Sequence, residues 1–207
     1  MAASYPPSGP TVRVARTLRL DNKHRSRVYD YRGMTAANGG TIWLRACVHH
    51  IPVIRQMPGR QDLDALRRVL LAQGLMVQFG TDGEGNVGLY TRAKHLCYHA
   101  RGGNSVTCGI EHMHYLTSES WDRRQFCAAA WVVQFLEREH GIPLRMATVD
   151  SGGPGVARIV RTGHTSHQRI SQAAGYNDRS DPGPGFDYER IFRYARYFKV
   201  RGHFIGA

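Results

Sequence analysis

Thr41 to Val48 (Thr-Ile-Trp-Leu-Arg-Ala-Cys-Val) is a compact apolar run that stops at His49-His50. Its length suits a strand. Apolar character at nearly every position is what a strand covered on both faces needs. A chain built on such a strand folds as a sheet between helical layers, and the polar ends of buried strands are where α/β proteins commonly put chemistry. Taken alone, the histidine pair reads first as a strand terminus and only second as part of a site.

The rest of the chain supplies partners for that strand. Val12, Val14, Leu18 and Leu20 alternate apart from Arg16 and suggest an edge strand after a loose arm, Met1 to Pro10. Asp62 is placed to cap a helix carrying Leu63, Leu66, Leu70 and Leu71 on one face and stopping at Gly74. Leu75 to Phe79 and Val87 to Tyr90 flank Thr81-Asp82-Gly83-Glu84-Gly85-Asn86, a hairpin signal without the spacing of a calcium loop. Val106 to Ile110 reads as a strand that delivers Glu111, either a cap for nearby backbone groups or a general base in a cleft. A helix starting at Ser118 or Ser120 and running to about His140 would bury Phe126, Ala129, Ala130, Val133 and Leu136. Another starts near Tyr188 and buries Ile191, Phe192 and Ala195. The glycine-rich Ser151 to Gly155 lacks the Lys-Ser/Thr of a phosphate loop. These pieces predict an α/β fold: a single domain with a central mixed β-sheet flanked by helices. Residues 1–40 read as an N-terminal extension with a possible edge strand, and 41–207 as the main domain.

Composition narrows the partners. With 28 Lys and Arg against 16 Asp and Glu, the chain carries +12, which favours polyanions such as nucleic acid, anionic lipid or bacterial wall polymers. No apolar run approaches the ~18 residues of a membrane span. Met1 to Pro10 lacks the basic-then-apolar order of a secretory signal, so synthesis in the cytoplasm is expected. Cys47, Cys97, Cys108 and Cys127 show no CxxC pairing and read as reduced, buried thiols.

The stretch His167 to Tyr188 holds the strongest chemical signal. It sets a histidine ahead of Asp181-Pro182-Gly183-Pro184, where proline restricts the aspartate before it. A histidine beside a fixed carboxylate suits zinc, which takes nitrogen and carboxylate oxygen at roughly 2.0–2.2 Å, with a third ligand from elsewhere in the chain.

In order, the strand ending at His49-His50, then Tyr98-His99-Ala100, then Asn104 with Thr107-Cys108-Gly109-Ile110-Glu111, then His167 through Asp181-Pro182-Gly183-Pro184 together resemble the zinc-dependent N-acetylmuramoyl-L-alanine amidases of the type 2 family. That family includes phage endolysins and peptidoglycan recognition proteins. The resemblance runs from about Thr41 to Phe198. It implies one zinc ion held by His49, His167 and Asp181, with His50 and His164 as the competing histidines. It implies Glu111 as the general base that later protonates the departing amine. Arg179, where many relatives have lysine, would give electrostatic stabilisation only, because guanidinium does not donate its proton. His99 and Asn104 would line the groove for the glycan and peptide. Where some phage relatives carry a tyrosine, this chain has Leu75, which leaves proton transfer to Glu111.

The implied activity is hydrolysis of the amide between N-acetylmuramic acid and L-alanine of the stem peptide, at the bacterial cell wall, by a monomer. Peptidoglycan would be the partner, aided by anionic wall polymers, with no role for nucleic acid. A non-catalytic peptidoglycan-binding module is the alternative, although a binder needs no open metal position. A metal-dependent nuclease would need its ligands within a short span, whereas these lie far apart in the chain.

Overall fold

The computed structural model describes residues 13–19, 25–32, 39–52, 63–113, 121–183 and 185–201. The expected arm at Met1 to Pro10, Val12 and Leu20, the cap Asp62, the helix starts Ser118 and Ser120, and Pro184 lie outside them.

Seven strands form one mixed sheet. In chain order these are β1 (Arg13–Arg19), β2 (Arg25–Asp30), β3 (Ala46–His50), β4 (Phe79–Thr81), β5 (Val87–Leu89), β6 (Thr107–His112) and β9 (Gly163–Ser166). Across the sheet they run β1-β2-β5-β4-β6-β3-β9, with β1 at one edge. The central strand β3 pairs in parallel with β6 on one side and β9 on the other. Every residue of β3 and β6 is buried, as strands covered on both faces must be. The hairpin β4–β5 is antiparallel. Its first strand is shorter than the apolar run Leu75–Phe79 suggests, and the ladder begins only at Phe79. A second, two-stranded sheet joins β7 (Thr148–Ser151) to β8 (Ala157–Arg161), so the glycine-rich Ser151–Gly155 is a turn.

Helices α2 (Arg123–His140) and α4 (Tyr188–Arg201) cover one face of the sheet. Phe126, Ala129, Ala130, Val133 and Leu136 are buried there with Phe79, Cys47, Cys108 and Ile110 of the sheet and Ile191, Phe192 and Ala195 of α4. Helix α2 starts later than the serines suggest, because Asp122 is the residue whose carboxylate accepts from the Arg124 and Gln125 N–H groups. It ends at Gly141, whose φ of 68° suits glycine and turns its N–H onto the Glu137 carbonyl.

Helices α1 (Leu63–Ala72) and α3 (His167–Ala173) lie on the other side. Leu63, Leu66 and Leu70 bury one stripe of α1, while Leu71, one position round the helix, is 39% exposed instead of joining it. All four cysteines are buried, and none is in a disulfide.

Candidate functional site

Successive residues of a strand point to opposite faces, and this divides the histidine pair. His50 faces the side of α1 and α3, while His49 faces α2 and α4. Register then adds two neighbours to His50: Glu111 pairs with it on β6, and His167 begins α3 directly after β9. Ser166 caps α3 by accepting from the Arg169 N–H. The Gln168 N–H donates to the Asp181 carbonyl at 3.1 Å, which ties Asp181 to the first turn of the same helix.

The result is a tight triangle. His50 Nδ1 lies 3.1 Å from His167 Nδ1 and 3.4 Å from Asp181 Oδ2, and His167 Nδ1 lies 3.2 Å from Asp181 Oδ1. Donors placed tetrahedrally around zinc at about 2.0–2.1 Å stand about 3.3 Å apart, so this set fits one such ion. Burial, and after it the His167 ring, holds the pKa of His50 down at about 4, so the ring is neutral with a lone pair to give. Burial acts to raise Asp181, but the hydrogen bonds with His167 and His50 outweigh it and keep the group ionised well into acid.

His49, expected as the first ligand, is not part of this triangle. It is fully buried on the opposite face, with Nδ1 2.9 Å from His112 Nε2 and Nε2 3.0 Å from His164 Nδ1. The sequence hides the choice because β3 is buried on both faces and no polar alternation marks either one. The signal that could have found it is register: Glu111 follows Ile110 as His50 follows His49. His164 shares the His49 side, and His167 is the histidine at the triangle.

The triangle forms part of the wall of a cavity of about 470 Å³ that also reaches Glu111, Tyr98, His99, Asn104 and Arg179. Leu75 and Val77 supply apolar wall. One carboxylate oxygen of Glu111 is buried without a hydrogen-bond partner. Burial first, and the nearby Asp181 second, push its pKa well above the ordinary carboxylate range. Arg179 stands exposed at the mouth.

His99 and Asn104 line the cavity, but their polar atoms are engaged within the protein. Asn104 Oδ1 accepts the N–H groups of His99 and Ala100, fixing the turn that carries the ring. His99 Nε2 lies 3.2 Å from the Thr107 carbonyl, which can only accept, so that nitrogen carries the proton. Burial keeps His99 neutral, which leaves its Nδ1 bare to accept from His50 Nε2 at 3.1 Å. With its proton on Nε2, His50 must present the Nδ1 lone pair to the triangle. Ligating histidines are commonly oriented in this way through their second nitrogen.

Residues 41–184 match the family described as N-acetylmuramoyl-L-alanine amidase, well over half of the chain, and the chain belongs to that family. It is thus an amidase of peptidoglycan, with a fold shared by solved relatives at low identity. An N-acetylmuramoyl-L-alanine amidase endolysin, LysCS from Clostridium intestinale, superposes with a TM-score of 0.53 at 14% identity, covering 82% of this chain and 95% of that one. The Staphylococcus aureus hydrolase AmiA, solved with its ligand, gives 0.59 at 12% identity over 86% of each chain. A mutant endolysin from Bacillus subtilis gives 0.55 at 15% identity, covering 82% and 99%. No curated protein matches the sequence.

Proposed function

We propose that this chain is a zinc-dependent hydrolase of the amide joining the lactyl group of N-acetylmuramic acid to L-alanine of the stem peptide. It acts on the bacterial cell wall as an endolysin-type, bacteriolytic enzyme of phage. The observation that carries the reading is the triangle of His50, His167 and Asp181 set beside a buried carboxylate, in a cavity large enough for a sugar–peptide junction.

His50 Nδ1, His167 Nδ1 and an Asp181 oxygen would hold the ion. Zinc held by three protein donors supplies a Lewis acid and brings the pKa of water near 7. Glu111 does the proton work: its raised pKa suits a group that takes a proton from attacking water and returns it to the leaving amine. Arg179 at the mouth offers positive charge to the oxyanion of the tetrahedral intermediate. His99 acts through His50 and not on substrate, since both its nitrogens are taken. The apolar Leu75 and Val77 border the reacting region without offering a proton.

Purified sacculi test the proposal. New N-terminal alanines should accumulate with the enzyme, stop on addition of a chelator and return with zinc. His50→Ala should abolish the release. Binding of sacculi without new alanines, in metal-replete enzyme, would establish the non-catalytic alternative instead.

A further inference from the structure

On the opposite face of the sheet lies a second cluster of metal-binding chemistry that the amidase reaction does not use. Cys47 and His49 stand two residues apart on β3 and so share a face, and His164 of β9 pairs in register with Cys47. All three are fully buried. Their donor atoms, Cys47 Sγ and one ring nitrogen from each histidine, lie within 4.8 Å of one another, and His49 Nε2 is 3.0 Å from His164 Nδ1. Among the described residues this cluster and the triangle are the two sets of three His, Cys or acidic side chains gathered this closely.

Such a cluster is costly as plain core. Phe186, Tyr188 and Phe192 pack around the imidazoles, at ring distances of 5.4 Å and 5.2 Å from His49 and 5.3 Å from His164. Hydrogen bonding within it does not close. The chain Thr81 Oγ1, His112, His49, His164 runs through contacts of 2.8, 2.9 and 3.0 Å and ends at His164 Nε2, which has no partner. The Tyr188 hydroxyl, on a ring set edge-on to His49, is also buried without a partner. The Cys47 thiol makes a 4.0 Å contact to the Val48 carbonyl and otherwise meets the Cys108 thiol, a weak partner. A buried polar group without a partner destabilises the fold, so apolar side chains here would serve a purely structural core better.

We infer that Cys47, His49 and His164 form a second, closed metal centre for a thiolate-preferring d10 ion, Zn²⁺ or Cu⁺, which braces β3 against β9 from behind the active site. Thiolate and imidazole together select these ions over magnesium or calcium. Around one ion the nitrogens would stand about 3.3 Å apart and the sulfur about 3.6 Å from each, so closing any donor pair takes at most about 1.2 Å of side-chain adjustment. His112 then acts as support. It accepts the His49 Nδ1 proton and donates its own to Thr81, which leaves His49 Nε2 free to ligate. Binding releases the Cys47 thiol proton to solvent, so uptake is favoured as pH rises. The Tyr188 hydroxyl is a buried oxygen suited to a fourth position. With all three donors sealed, the ion enters as the chain folds.

The test uses the full chain from cells grown in cobalt-supplemented minimal medium. Two equivalents of cobalt per chain are expected, with thiolate-to-cobalt absorption in the near ultraviolet that a His/His/carboxylate site cannot give. Cys47→Ala should remove that band and one equivalent while keeping amidase activity. His50→Ala should remove the other equivalent and keep the band. Elemental analysis of protein grown without added metal then tells zinc from copper. One equivalent without a thiolate band in the wild-type chain overturns the proposal, as does a band that survives Cys47→Ala. Should Cys47→Ala fail to accumulate, His164→Gln provides the same comparison.

Discussion

Glu111 shows at the scale of a single residue how function and stability compete. Its carboxyl is buried with one oxygen unpartnered, and burial raises its pKa well above the carboxylate range. A raised folded-state pKa contributes stability at low pH that is lost as pH rises through it, so in the metal-free protein the ionising Glu111 opposes folding. Glu111→Gln keeps the shape and removes the charge. Turnover on sacculi should fall by about 10²–10⁴, the usual worth of a general acid–base group. Metal-free Glu111→Gln should be more stable than metal-free wild type by on the order of 1 kcal/mol, as expected when an unpaired buried charge is removed. Urea denaturation at pH 6 and pH 8 checks this. The difference should grow with pH, and an unchanged midpoint at both values would show that Glu111 carries no such penalty.

At the scale of elements, the site depends on how closely β6 lets the His99 turn approach. A Cβ built on Gly109 would stand 2.8 Å from His99 Nδ1 and 2.9 Å from Val77 Cγ1, too close for either neighbour. Gly109→Ala should therefore cost about 1–3 kcal/mol by overpacking and push His99 off His50. Zinc affinity, measured by competition with a chromophoric chelator, should weaken by about 10–100-fold, the usual cost of losing an outer-shell partner. Unchanged affinity would mean that His50 keeps its orientation without help. Much of this architecture is legible in the sequence. The hairpin around Asp82-Gly83 and the long α2 stripe are local patterns that tertiary packing respects, whereas of the apolar run before His49-His50 only Ala46–Val48 joins the strand and Trp43 stands 81% exposed. What sequence pattern does not resolve is set by pairing across space. The facing of His49 against His50 follows from the register of β3 with β6, because a strand buried on both sides carries no alternation to read. His99 looks like a groove residue until the Thr107 carbonyl and His50 are seen to occupy both its nitrogens.

For the whole molecule, charge and buried histidines set the working conditions. A formal charge of +12 on a chain that acts on an anionic wall predicts that long-range attraction contributes to binding. Sedimentation of the protein with sacculi should weaken as salt rises toward 1 M, where screening shortens to about 3 Å, while turnover on a small soluble muropeptide changes little. Equal salt loss on both substrates would place the effect in the active site instead. Acid should act on the fold itself. Burial holds His112 and His164 down at about 3, and keeps His49 and His99 well below the ordinary value. In the unfolded chain each returns to about 6.5. A base with a depressed folded-state pKa contributes stability that is complete above its unfolded pKa and is lost as pH falls toward the folded one. Within that window each such histidine contributes a slope of about 1.4 kcal/mol per pH unit. Because several of them share the window, the urea midpoint of the metal-free protein should drop steeply from pH 7 to pH 5. Replacing His112 with asparagine should make the drop shallower, since that side chain cannot gain a proton on unfolding. A midpoint that is flat between pH 7 and pH 5 would mean that these rings are already protonated in the fold.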